Sequence, residues 1–245
     1  CNDPKGYLDL YEVTKYNDLK GRKIYTWNRR PGGNQTLADI LKNSNNPCIA
    51  RVALEIKPQY FYDKLKEFGI GSFIGIGLQE ESNSYMKPFE EWTRLDVITA
   101  SYGQGISATP LQAISAISTI ANNGVRMRPY IISKISNDEE EITYEPQILS
   151  QPISAQTAKE VAEMMTHVIE DGGISPEYIK KLKNYYIAGK TGTAQVAKKD
   201  GSGYEEDKTI TTFVGFAPAD DAKMIMLVRL EHPQTNGLAA ATVVP

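Results

Sequence analysis

The sequence predicts an α/β chain of the α+β type, with helices first and an antiparallel sheet last. Helix start and stop signals follow one another from Thr36 to Asp171. Three strand candidates then crowd into residues 185–231, joined by polar turns. Segregation of this kind packs helices against an antiparallel sheet rather than alternating them with parallel strands. The composition is that of an ordinary globular protein, 41% hydrophobic and 23% charged over 245 residues. That length suffices for one large domain or about two. A net charge of −3 with no basic run gives no footing for nucleic acid or a membrane surface. No apolar run reaches the ~20 residues that span a bilayer.

Residues 1–35 are polar and turn-rich, with Arg29-Arg30-Pro31-Gly32-Gly33 as a loop. Thr36-Leu37-Ala38-Asp39 has the form of a capped helix start, carrying Ile40 and Leu41 inward. After a tight connection, Asn46 is the expected N-cap of a second helix, with Pro47 in its first position. Ile49, Val52, Ala53 and Ile56 fall on one face of it. Pro58 to Phe68 reads as a third helix, stopped by Gly69. Residues 69–95 hold a glycine-rich turn and an irregular acidic segment.

Thr109-Pro110-Leu111-Gln112 combines an N-cap, a first-position proline and a capping-box glutamine. The helix it opens runs through Ile114, Ile117 and Ala121 and ends at Asn122-Asn123-Gly124. Ser154 opens another, with Val161, Met164, Met165 and Val168, closed by Asp171-Gly172-Gly173. Tyr185–Ala197, Thr211–Ala217 and Met224–Glu231 are the strands, the last pair turning at Asp220-Asp221. No repeats or low-complexity tracts occur.

Two short segments carry chemistry. Tyr186-Ile187-Ala188-Gly189-Lys190-Thr191-Gly192-Thr193-Ala194-Gln195 reads as a half-buried strand with a cation, two hydroxyls and a bare backbone at its centre. Such an edge suits an extended peptide-like ligand ending in a carboxylate; an ordinary edge strand guarded by lysine is the plainer alternative. Gly189-Lys190-Thr191 is not the end of a phosphate loop, because Asn184 stands where that motif needs glycine. The other segment, Ser44-Asn45-Asn46, lies between two buried helices, where capping alone would account for Asn46.

Together these residues resemble the penicillin-binding proteins, the serine D,D-transpeptidases of bacterial cell-wall synthesis, whose motif set is Ser-x-x-Lys, Ser-x-Asn and Lys-Thr-Gly. Ser44-Asn45-Asn46 matches the second element and Lys190-Thr191-Gly192 the third. Ser101 to Gln112 resembles the family's lead into a core helix, and Phe213 to Asp221 the strand and turn after Lys-Thr-Gly. These two segments look most like the monofunctional, division-type enzymes. The resemblance implies a serine β-lactamase/D,D-transpeptidase-like fold, an antiparallel sheet flanked by helices. It also implies an acyl-enzyme, covalent binding of penicillin and no cofactor.

The family's Ser-x-x-Lys precedes its Ser-x-Asn, but the chain's one such tetrad, Ser84-Tyr85-Met86-Lys87, follows Ser44 in a polar, proline-bounded stretch. A nucleophile needs its lysine one turn away on a rigid element, so Ser84 is expected to be a surface-loop coincidence. Residues 1–245 are then expected to be the C-terminal portion of one transpeptidase domain, catalytically incomplete alone. The nucleophile helix, an N-terminal module and a membrane anchor would lie outside them, as would a last helix after Val243-Val244-Pro245.

The resemblance also assigns roles. Ser44 relays the serine's proton to the departing D-alanine, and Asn46 holds the catalytic lysine and a substrate amide. Lys190 adds a second positive charge to the cleft, lowering the pKa of the lysine base. Thr191 and Thr193 hold the terminal carboxylate, the Thr193 N–H completes the oxyanion hole, and Gly192 keeps the groove open. Asn45 receives no role. The implied partners are the peptidoglycan stem peptide, β-lactam antibiotics and membrane proteins of the divisome; the implied place is the bacterial membrane, with this domain outside the cytoplasm. A serine β-lactamase or β-lactam sensor would need a deacylating base, for which only Glu80 or Glu81 offers itself; a non-catalytic divisome scaffold would have lost its nucleophile.

Cys1 and Cys48 do not make a disulfide framework, and Cys48 is expected to be a small core residue. His167 and His232 are expected to be structural or solvated. Glu80-Glu81 and Glu139-Glu140-Glu141 are expected to be loop charges. Tyr204-Glu205-Glu206-Asp207 is assigned to the turn after the Lys-Thr-Gly strand. No His/Cys cluster suggests a metal.

Overall fold

A computed structural model describes residues 1–171, 180–182, 184–198 and 204–233. The N-terminal residues, expected to be turns, fold into short ribbons. β1 (Asn2–Asp3) pairs with β4 (Gly33–Asn34), and β2 (Tyr7–Asp9) with β3 (Lys23–Tyr25), both antiparallel. Between β2 and β3 stand α1 (Leu10–Thr14), capped by the Asp9 carboxylate, and a 3-10 turn at Asn17–Leu19. Leu8, Leu10, Leu19 and Ile24 from these ribbons bury against Ala50 and Ile98 as one core cluster. The alternation is too short to announce strands, so burial of these four side chains is what organises the segment.

The expected helices form close to their predicted bounds, and a further one, Arg94–Ala100, has no counterpart in the sequence reading. α2 (Leu37–Asn43) begins in a full Thr36/Asp39 capping box and α6 (Pro110–Ala121) in a Thr109/Gln112 box. α4 (Pro58–Glu67), α5 (Arg94–Ala100) and α7 (Ala155–Glu170) complete the helical part, α7 capped by Ser154. The one shift is at α3 (Asn46–Glu55): its N-cap is Asn45, whose Oδ1 accepts from Cys48 N at 2.9 Å, so Asn46 is already helical. The glycines expected to close α7, Gly172 and Gly173, lie outside the described residues, as does Val243-Val244-Pro245.

Between α6 and α7 the chain forms β5 (Arg126–Met127), β6 (Lys134–Ser136), β7 (Glu141–Thr143) and β8 (Ile148–Ser150), as the pairs β5–β8 and β6–β7. Glu141 belongs to a strand, paired with Lys134 across the ribbon. The late sheet has the order β11–β10–β9, with β9 (Ala188–Ala197), β10 (Tyr204–Ala217) and β11 (Met224–Glu231) all antiparallel. β10 starts earlier than expected, absorbing Tyr204 to Asp207. β9 starts later, because Ala219 N donates to Tyr186 O, tying Tyr186 to the turn beyond β10. α7 lies along β9, and Ala162, Met165, Ala188 and Phe216 form the second core between helix and sheet. Gly189 permits that contact: a Cβ there would meet the Phe213 ring at 2.7 Å and Ile169 Cδ1 at 2.9 Å.

Three expectations are corrected. Cys1 and Cys48 form a disulfide, with Cα atoms 5.7 Å apart, tying β1 to α3. Ser84 is buried, not on the surface: its Oγ donates to Gln112 Oε1 at 2.6 Å, while Lys87 pairs with Asp96 at 2.9 Å. Glu81 is no free loop charge, because its carboxylate accepts from the N–H groups of Ile74, Gly75 and Ile76. His167 is half-buried on α7 and His232 is exposed.

Candidate active site

Among the described residues β9 is the outer strand of its sheet, so no described strand borders the far side of the Lys-Thr-Gly strand. Along it, alternation sends Lys190 and Gly192 to one face and Thr191 and Thr193 to the other. Gly192 faces Thr212 across the ladder, and a Cβ in its place would stand 2.6 Å from Thr212 Oγ1. Thr191 and Gly192 are half-buried and Thr193 is exposed.

Lys190 reaches from this edge to the helical part. Its Nζ donates to Ser44 Oγ at 2.5 Å and to Thr191 O at 3.0 Å. Ser44 meets it from the C-cap of α2 in the left-handed region (φ 51°, ψ 48°), a backbone conformation that needs support in a non-glycine residue. Among the described residues no carboxylate pairs with Lys190. Burial of its ammonium pulls its pKa down from 10.5 to about 8.

Support for the turn comes from the next residue. Asn45 is buried, its Oδ1 capping α3 and its Nδ2 donating to Asp3 Oδ2 at 3.1 Å. Asp3, also buried, accepts from Gly6 N as well. Gly32 makes room for this grip, since a Cβ there would lie 2.5 Å from Asn45 Nδ2. The disulfide binds the same two segments one turn away. Asn45, not Asn46, therefore caps the helix and sets the backbone on which Ser44 and Asn46 stand; the Asn-Asn-Pro order is compatible with either cap, since proline is tolerated throughout the first helical turn.

Of the expected site residues, the structure joins Ser44 directly to Lys190. Asn46 begins α3 beside Ser44, its Nδ2 donating to Tyr25 O at a long 3.5 Å. Ser84 and Lys87 are engaged with Gln112 and Asp96, not with Lys190. Gln112 is itself a buried hub, holding Ser84, Asn83 and the Ser72 carbonyl. Among the described residues no three His, Cys, Asp or Glu side chains converge as a metal site. No described helix is long and apolar enough to cross a membrane.

Known proteins resemble this chain over most of its length. The stage V sporulation protein D of Bacillus subtilis is 32% identical over 243 residues, 96% of this chain and 37% of that protein. The penicillin-binding protein PbpB of Mycobacterium tuberculosis is 32% identical over 208 residues, 82% of this chain and 30% of that protein. The chain thus spans about a third of the length of these curated relatives. Among solved structures, penicillin binding protein 3 of M. tuberculosis complexed with ampicillin superposes with a TM-score of 0.80 at 27% identity, over 94% of this chain and 50% of that one. The transpeptidase domain of Burkholderia pseudomallei penicillin-binding protein 3 gives 0.77 at 26%, over 98% of this chain and 66% of that one. The family model described as the penicillin binding protein transpeptidase domain matches residues 4–245, and the chain belongs to that family.

Proposed function

We propose that this chain supplies the second and third catalytic elements of a peptidoglycan D,D-transpeptidase, which crosslinks stem peptides through a serine acyl-enzyme and binds penicillin covalently. The observation that carries this is the contact between Lys190 and Ser44, 146 residues apart in sequence. An edge-strand guard lysine would point to solvent; this one is drawn inward against a helix-connection hydroxyl.

The chemistry follows from the hydrogen-bond directions. The nucleophilic serine Oγ, on a Ser-x-x-Lys segment outside residues 1–245, attacks the carbonyl carbon of the penultimate D-alanine. A C–O bond forms, the C–N bond to the terminal D-alanine breaks, and the serine proton must reach the departing amine. Because Lys190 donates to Ser44 Oγ, the Ser44 hydroxyl hydrogen is not used in that bond and could be handed on. Asn46 would hold the catalytic lysine and a substrate amide. Lys190 keeps the cleft positive and so lowers the pKa of that lysine. Thr191 and Thr193 would receive the terminal carboxylate along the open β9 edge, with Gly192 leaving room. The Thr193 N–H would pair with the nucleophile's own N–H as an oxyanion hole, worth roughly 3–4 kcal/mol per donor. A second stem-peptide amine then takes the acyl group. In a β-lactam the broken C–N bond is tethered, so the leaving amine stays and the adduct persists. The engagement of Glu81 with three backbone amides keeps it from serving as a deacylating base.

Such a domain would work outside the cytoplasm on a membrane-anchored protein, beside divisome membrane proteins. The test is intact mass after benzylpenicillin, on the protein carrying its upstream Ser-x-x-Lys and on its Lys190→Ala variant. A stable adduct on the first and none on the folded second is expected. Undiminished acylation of the variant would sink the site assignment.

A further inference from the structure

The β2–β3 ribbon carries a surface that the transpeptidase chemistry leaves unused. Tyr7 and Tyr25 are register partners across it, with ring centroids 5.7 Å apart. Lys23 and Lys5 lie over the Tyr7 ring at 4.8 Å and 5.6 Å, and Arg29 over the Tyr25 ring at 5.3 Å. These contacts hold long cationic side chains on a rigid stem. Beyond β3 the chain turns sharply: Arg29 N donates to Thr26 O, and the buried Thr26 hydroxyl donates to Gly6 O and Arg30 O. The turn folds onto Gly6, where a Cβ would stand 2.7 Å from the Arg30 carbonyl. Arg29 takes a left-handed backbone (φ 54°) to complete it, a conformation that costs energy in any non-glycine residue. The outcome is that Lys5, Lys23, Arg29 and Arg30 share one exposed surface with Trp27, which is 71% exposed at the turn's tip.

The nearby acids engage it at Lys5 and leave Lys23, Arg29 and Arg30 without a carboxylate partner among the described residues. Asp3 is buried, and Asp9 is occupied capping α1. Glu12 pairs with Lys5 at 3.6 Å. Residues 1–30 hold seven Lys or Arg against four Asp or Glu, in a chain whose net charge is −3. The surface abuts the candidate site, because Asn46 donates to the backbone of Tyr25.

We propose that this surface binds an anionic saccharide chain, its acidic groups held by Lys5, Lys23, Arg29 and Arg30 and the apolar face of a sugar ring lying on Trp27. An exposed indole on the turn that also carries Arg29 and Arg30, next to the ribbon that carries Lys5 and Lys23, suits a sugar polymer that bears charge better than it suits a bare ion or an uncharged glycan. The choice of a saccharide rests on the transpeptidase reading; the binding itself needs no acylation.

The experiment follows the Trp27 indole N–H resonance in the 15N-labelled chain. Trp92, packed edge-on against Tyr62 with its N–H donated to Lys87 O, serves as internal control. The probes are oligogalacturonate, a phosphorylated dextran, uncharged chitotetraose, and poly(glycerol phosphate), which is charged but has no sugar ring. Saturable movement of Trp27 and not Trp92 is expected with the two charged saccharides, the tighter one naming carboxylate or phosphate as the acid. Added salt should weaken it, and the exposed triple change Lys23→Gln, Arg29→Gln, Arg30→Gln should weaken it about tenfold or more. No movement of Trp27, equal binding of chitotetraose, an equal Trp27 shift with poly(glycerol phosphate), or indifference to the triple change would overturn the proposal. None of these outcomes alters the acylation test, so the two readings fail separately.

Discussion

Replacing Lys190 by methionine separates the energetic cost of the candidate site from the rest of the fold. The Lys190 ammonium is buried, with a hydroxyl and a carbonyl as acceptors and no carboxylate partner among the described residues. Its pKa falls from 10.5 to about 8. A shift of about 2.5 units corresponds to about 3 kcal/mol of preference for the neutral form. The sign follows from proton counting. Between pH 8 and 10.5 the unfolded chain still carries a proton on this lysine that the folded chain has lost, so stability rises with pH there. Below pH 8 both states are protonated and the full cost of the buried charge is present. The wild-type chain should therefore gain about 3 kcal/mol between pH 7 and 10.5 relative to Lys190→Met, whose stability lacks this contribution. At pH 7 the variant should be the more stable protein, as expected where a functional charge is held at the expense of stability. Urea unfolding of both proteins at pH 7, 8, 9 and 10 measures the difference, in which all other titrations cancel. Parallel stability curves across that range would refute the argument.

Other consequences concern the supports of the site. Reducing the Cys1–Cys48 disulfide, or Cys48→Ser, should destabilise by about 4 kcal/mol for a bridge of sequence separation 47, seen as a lowered urea midpoint in reductant. Asn45→Ala removes the α3 cap and a donor to the buried Asp3 carboxylate, together about 2–4 kcal/mol; in calorimetry its loss should exceed that of Thr109→Ala, a cap alone. Asn45→Asp would keep the cap but set two carboxylates side by side, so its deficit should shrink as pH falls through the carboxylate range. Phe216→Ala, in the core between α7 and the sheet, should cost about 3–5 kcal/mol.

Where sequence served well, a local cause was sufficient. The capping boxes at Thr36 and Thr109, the cap at Ser154 and the strand Met224–Glu231 stand as the sequence suggests, because each is set by neighbours within a turn or by simple alternation. The Lys-Thr-Gly strand and the Ser-x-Asn turn were legible as motifs for the same reason. Where it failed, the deciding partner lay beyond the reach of one turn, 5 to 28 positions along the chain. Ser84 looks like a loop residue until α6 brings Gln112 against it, and Glu81 looks solvated until the backbone of Ile74 to Ile76 curls around its carboxylate.

The amino-acid order by itself determined the helices-then-strands architecture, the late antiparallel strands and the family to which the chain belongs, since periodicity, caps and motif spacing are short-range properties written in the chain. Only the tertiary structure decided that Lys190 turns inward to Ser44, that Cys1 bonds Cys48, and that Asp3 holds Asn45. Each of these joins residues 42 to 146 positions apart. Closing such loops costs entropy that no local preference can repay, so these contacts exist only once the packed cores have brought their ends together.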